Sequence, residues 1–75
     1  MFDPNPGPVT LSARETETLA LVSLGLTNNE VAARLNLSVH AVKFRLAYIY
    51  RKLGVANRTE AAIAYLRLAR DETAG

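Results

Sequence analysis

The side chains able to do chemistry in this chain are few, and their types point to ionic contact rather than bond making. His40 is the single histidine, cysteine is absent, and no second ligand or nucleophile sits at a useful spacing around His40. Zinc sites and thiol or triad catalysis both need several such groups converging on one point. Composition therefore argues against an enzyme, a metal centre or a bound cofactor, and a chain of 75 residues has little interior left over for a pocket.

Cations are the remaining chemistry. The net charge of +2 is modest, but from Val31 to Thr59 the sequence carries Arg34, Lys43, Arg45, Arg51, Lys52 and Arg58 with no acidic residue. A charge run alone is most often a solvated helix face. Its position gives it more meaning, because Val39, Val42, Leu46, Ile49 and Leu53 recur at spacings of three, four, three and four residues through the same segment. That is the period of one buried helix face. The opposite face then presents His40, Lys43, Phe44, Ala47 and Arg51, flanked by Arg45 and Lys52. A helix fits the major groove of B-DNA, where lysine or arginine donates to guanine and phenylalanine or alanine touches a thymine methyl. Phe44 lies off the apolar stripe, which favours such a contact over a place in the core. Tyr48 and Tyr50 are expected to pack at helix edges.

Elements that would hold this helix are marked by caps. Ser12 with Glu15, Thr27 with Glu30, and Asn57 with Glu60 each have the spacing of a capping box, and Ser38 caps the basic helix. Gly25 and Gly54 stand where helices stop. The expected fold is all-α: a first helix to about Ser23, a short second one ending near Asn36, a third from Ser38 to Gly54, and a fourth from about Arg58 to Arg70. Glu15, Arg14 and Glu30 are assigned to caps and local ion pairs. Only Asn36 and Leu37 separate the second and third helices, so the two must cross steeply, as in a helix-turn-helix. The helix starts at Thr27, Asn28 and Asn29 and at Ser38 offer amides to phosphate. Residues 1–10, with three prolines, read as a tail or linker, residues 11–70 as one domain, and residues 71–75 as a frayed end. The opening fits either the end of an interdomain linker or the start of a stand-alone protein.

Several ordered segments carry a resemblance. Leu11-Ser12-Ala13-Arg14-Glu15, Gly25-Leu26-Thr27-Asn28-Asn29-Glu30-Val31-Ala32, Ser38-Val39-His40-Ala41-Val42-Lys43-Phe44-Arg45 and Lys52-Leu53-Gly54-Val55-Ala56-Asn57-Arg58-Thr59-Glu60-Ala61 resemble the LuxR/GerE-type DNA-binding domain, the effector domain of NarL/FixJ-type response regulators. The resemblance implies four helices, of which the third enters the major groove and the fourth pairs two copies on DNA. It implies that Lys43 is the basic recognition position and that His40, Phe44 and Ala47 are the variable base-facing ones. Two positions depart from the family. Ala41 stands where Thr or Ser is usual, losing a hydroxyl for phosphate, and Arg45 replaces a usual His with a permanently charged fork. The promoter-reading region of a sigma factor shares the short-turn helix pair, but not the segment from Gly54 to Ala61 and the fourth helix.

That fourth helix has more apolar surface than one small domain can cover. Ala61, Ala64, Tyr65 and Leu68 form one stripe, while Ala62, Ile63, Leu66 and Ala69 occupy much of the remainder. The leftover face, with Arg67 beside it, is expected to dimerise. Expected partners are double-stranded DNA, a second copy and, through transcription, RNA polymerase. No stretch approaches the roughly 20 apolar residues of a membrane span, and a cytoplasmic bacterial transcription regulator is the resulting expectation.

Overall fold

Among the described residues four helices follow one another: α1 (Ala13–Ser23), α2 (Asn28–Leu35), α3 (Val39–Leu53) and α4 (Arg58–Ala74). The computed structural model describes the backbone of residues 10–74 and the side chains of residues 10–70. Most of the expected tail, residues 1–9, lies outside the described residues, as does Gly75.

Local chemistry accounts for the boundaries. At α1, Glu15 N donates to Ser12 Oγ at 3.1 Å and Ser12 N donates to Glu15 Oε1 at 2.7 Å. Thr27 and Glu30 make the same reciprocal pair at α2, at 3.2 and 2.8 Å. Ser38 Oγ accepts from Ala41 N at 3.0 Å to start α3. At α4 the expected box is shifted by one residue: Glu60 N donates to Asn57 Oδ1 at 2.9 Å, but the carboxylate of Glu60 accepts from Ala56 N at 2.7 Å instead of Asn57 N. The loop reaches the helix a residue early, so Glu60 caps the amide before Asn57.

The three inner helix ends share one motif. Leu26 N donates to Leu21 O, Leu37 N to Ala32 O and Val55 N to Tyr50 O, each across a residue at positive φ: Gly25 at 91°, Asn36 at 56° and Gly54 at 71°. Such a stop satisfies late carbonyls and turns the chain sharply. Asn36 is the one non-glycine among them, a residue whose short polar side chain tolerates the left-handed region better than most. It makes the α2–α3 turn tight. By contrast α4 runs to Ala74, past the expected end at about Arg70, and no glycine or proline interrupts it before Gly75.

The core is drawn from all four helices. Leu19 and Val22 of α1, Val31 and Ala32 of α2, Val42, Leu46 and Ile49 of α3, and Ala61 of α4 are buried together. Leu26, Leu35, Leu53 and Tyr65 close its edges. α4 lies chiefly against α1 and α2 against α3, with α1 also touching α3. Among the described residues Glu15 and Thr18 are the buried polar members; the Thr18 hydroxyl donates to Arg14 O at 2.9 Å, and no buried side-chain polar atom lacks a partner. α3 is thus seated on one side by Val42, Leu46 and Ile49, and its other side is left to solvent.

Candidate nucleic-acid interface

On that outer side of α3, His40, Lys43, Phe44, Ala47 and Arg51 are all exposed. With Tyr48 they form two neighbouring rows whose members are one helical turn apart, Lys43, Ala47 and Arg51 in one and His40, Phe44 and Tyr48 in the other. Phe44 keeps 76% of its surface in water and Tyr48 52%. Tyr48 was expected to pack at a helix edge; its ring instead lies in solvent under Lys52, whose Nζ is 5.7 Å from the ring centroid. Tyr50, by contrast, packs against the core.

Each row borders the start of a neighbouring helix. Lys43 and Ala47 share a shallow hollow of about 370 Å³ with Asn28 and Arg58, which brings the start of α2 beside them. His40, Phe44 and Tyr48 share one of about 550 Å³ with Ser12 and Arg14, which brings the start of α1 beside the second row. The first intrahelical bonds here are Thr16 N to Ser12 O, Val31 N to Thr27 O and Val42 N to Ser38 O. The amides of Ala13 and Arg14, of Asn28 and Asn29, and of Val39 and His40 therefore precede the intrahelical ladder and add partial positive charge around the face.

Not every expected cation joins it. Arg45 is half-buried and directs Nη1 toward Thr18 Oγ1 of α1 at a long 3.5 Å. Lys52 donates to Glu15 Oε1 at 3.0 Å. Arg58 donates to the Leu26 carbonyl and to Asn28 Oδ1, tying the first residue of α4 to the turn before α2. The side-chain oxygen of Asn28 is thereby engaged, Asn29 and Thr27 remain exposed, and the hydroxyls of Thr27 and Ser38 serve their caps. Arg14, assigned from sequence to fold support, is exposed beside His40 and Phe44. A signal was present: a cation in the first turn opposes the helix dipole and does nothing for the helix itself.

Glu15 sits at the junction of cap and ion pair. The backbone N–H of Ser12 holds its carboxyl below the ordinary 4.5, burial pushes the other way, and Lys52 adds a further lowering. Because the folded value lies below the unfolded one, its stabilisation is present above pH 4.5 and is lost as pH falls through the folded value. Glu15→Gln keeps an acceptor for Ser12 N–H but loses the charge that faces Lys52 and the helix start, and should therefore cost about 0.3–1 kcal/mol at neutral pH. Its melting curve and that of the parent should converge at acid pH. A thermal-melt series from pH 7 to pH 2.5 checks this, and a constant offset at every pH would contradict it.

Residues 9–65 match the family described as GerE, bacterial regulatory proteins of the luxR family. The chain belongs to the luxR family. It is 43% identical over 63 residues to the probable transcriptional regulatory protein SgaR of Hyphomicrobium methylovorum, covering 84% of this chain and 30% of that one. It is 44% identical over 54 residues to the putative HTH-type transcriptional regulator YhjB of Escherichia coli (strain K12), covering 72% and 27%. A response regulator of Synechocystis sp. is 40% identical over 57 residues, covering 76% and 25%. The chain thus spans less than a third of the length of these curated relatives. The four helices of this luxR-family chain are the helix-turn-helix DNA-binding domain of transcription regulators. Among the described residues no helix is long and apolar enough to cross a membrane.

Proposed function

We propose that this domain binds double-stranded DNA with sequence preference, α3 lying in the major groove and two copies pairing through α4. The observation that carries the first part is the two-sidedness of α3: Val42, Leu46 and Ile49 are buried, while His40, Lys43, Phe44, Ala47 and Arg51 are exposed between two helix starts. Lys43 is the guanine donor, Phe44 and Ala47 meet apolar base edges, and Arg51, with the amides at the starts of α2 and α3, holds phosphate. A mobility shift against duplexes selected from a random library, compared with unselected duplex, tests this; equal affinity for both would remove the sequence preference.

The pairing reading rests on α4. Ile63 is 47% exposed and Leu66 62%, with Arg67 exposed next to them, whereas Ala62 is half-buried and offers less surface than its position implied. Two such apolar side chains on one helix face are best covered by a second copy when half-sites lie side by side. Ile63→Glu and Leu66→Glu are each expected to leave the melting temperature within a few degrees of the parent and to weaken binding to a paired site about tenfold. Single half-site binding should be unchanged. Sedimentation of the parent on a paired-site duplex should show two molecules binding as one unit, and independent occupancy would refute the pairing. Transcriptional control then follows from what the bound pair touches in the cytoplasm, RNA polymerase being the partner class.

A further inference from the structure

Arg58 carries its charge where the helices around it oppose one. It is the first residue of α4 and is bonded to the turn before α2, so the guanidinium lies at the positive ends of two helix dipoles. The carboxylates of those first turns are engaged elsewhere, Glu30 accepting from Thr27 N and Glu60 from Ala56 N. Both acceptors of Arg58 are neutral oxygens, the Leu26 carbonyl and Asn28 Oδ1. A half-buried cation in this setting draws an anion toward the start of α2.

The second of those bonds also settles the orientation of an amide. A guanidinium has donors and no acceptor, so only the oxygen of Asn28 can face it. The amide nitrogen is the other branch of the same planar group and is turned away from Arg58. Asn28, Arg58, Lys43 and Ala47 line one hollow of about 370 Å³. With Lys43 in a major groove, the sugar-phosphate backbone along that flank of α3 passes the hollow, where an outward amide donor meets phosphate. Without Arg58 the Asn28 side chain is free to present its oxygen instead, which phosphate repels.

We propose that Arg58 is a positioning residue for DNA binding: it locks the Asn28 side chain with the amide nitrogen outward, as a donor to one backbone phosphate beside α2. The inference rests on the groove reading above and adds to the grip a residue of α4, outside the helix-turn-helix pair. Its test uses the 75-residue chain and the duplex it selects from a random library, remade with an uncharged methylphosphonate link in place of each phosphate in turn. Neutralising the phosphate held by Asn28 should weaken parental binding about tenfold. In Asn28→Ala that penalty should vanish at this one phosphate and survive at the others, and in Arg58→Ala it should shrink to about twofold at the same phosphate. Asn28→Asp separates positioning from bracing. Aspartate keeps the bond to Arg58 and adds charge to it, so the melting temperature should not fall, while the lost donor and the repulsion of phosphate should cut affinity by more than about tenfold. A role confined to holding α4 against α2 requires the opposite, affinity kept with the stronger brace. If Arg58→Ala does not fold, this Asn28→Asp result decides alone. The proposal falls, and the groove reading stands, if the penalty survives unchanged in Arg58→Ala or if Asn28→Asp binds the selected duplex like the parent. If no duplex is selected over random sequence, both fall.

Discussion

Ile49→Ala is expected to destabilise the domain by about 2–5 kcal/mol, the range for truncating a fully buried isoleucine to leave a cavity. Ile49 has no exposed surface and lies in α3 between Leu46 and Leu53, where the core residues of the other helices meet it. A domain of 75 residues has a total stability of roughly 4–11 kcal/mol at the usual 0.05–0.15 per residue, so the loss is a large share of the whole. The melting temperature should fall by about 10 °C or more. The urea midpoint should fall with an unchanged slope, since the surface exposed on unfolding is nearly the same. Ile49→Val, which removes one methylene, should cost only about 0.5–1.5 kcal/mol. DNA affinity belongs to this prediction as well. Ile49 faces away from the groove, so the variant should bind poorly only where it is partly unfolded and regain parental affinity in the cold. A melting temperature unchanged by Ile49→Ala would mean that α3 is not seated by this core.

The boundaries of α1, α2 and α3 were legible because their causes are local. Ser12 and Glu15, or Thr27 and Glu30, are three residues apart and find each other through the helix they start; Gly25 and Gly54 end helices by their own backbone freedom. No long-range information is needed for either. The inward face of α3 was legible for the same reason, since a period of three and four over a full helix admits one buried side. The end of α4 was not: residues 71–75 read as a frayed end, yet nothing before Gly75 stops a helix already propagating.

What sequence could not place were the long cationic side chains. Arg45 and Lys52 lie at the margin between the buried and exposed sides of α3, where a flexible stem can turn either way. Their direction is decided by Thr18 and Glu15 on α1, 27 and 37 residues away in the chain. Arg58 is likewise committed to the turn before α2 across about 30 residues. These three contacts sort the basic block of residues 31–59 into two populations. Arg45, Lys52 and Arg58 cross-brace helices, and Lys43 and Arg51 of α3, with Arg34 of α2, stay outward. Net charge alone treats them as equivalent, and tertiary pairing separates them.

That sorting fixes what Lys43→Ala should do. Lys43 is exposed on α3 beside Ala47 and the start of α2, and a lysine placed on a guanine edge contributes about 1–3 kcal/mol of discrimination. The variant should therefore lose roughly 5- to 150-fold in affinity for its selected duplex while keeping its affinity for random duplex within a few fold. Its preference at one base pair should relax. Arg51→Ala should behave differently, because a phosphate contact carries no sequence information. Its loss should be smaller and equal on selected and random duplex, with the slope of log affinity against log salt shallower by about one. Neither side chain is in the core, so the two melting temperatures should stay near the parent's, and titrations at two salt concentrations separate the roles. Were Lys43→Ala to weaken both duplexes equally, the lysine would be holding phosphate, and base reading would pass to the His40 and Phe44 row. The axis of α3 would then have to be turned about its length relative to the groove, with the start of α1, and Arg14 in particular, brought against the sugar-phosphate backbone.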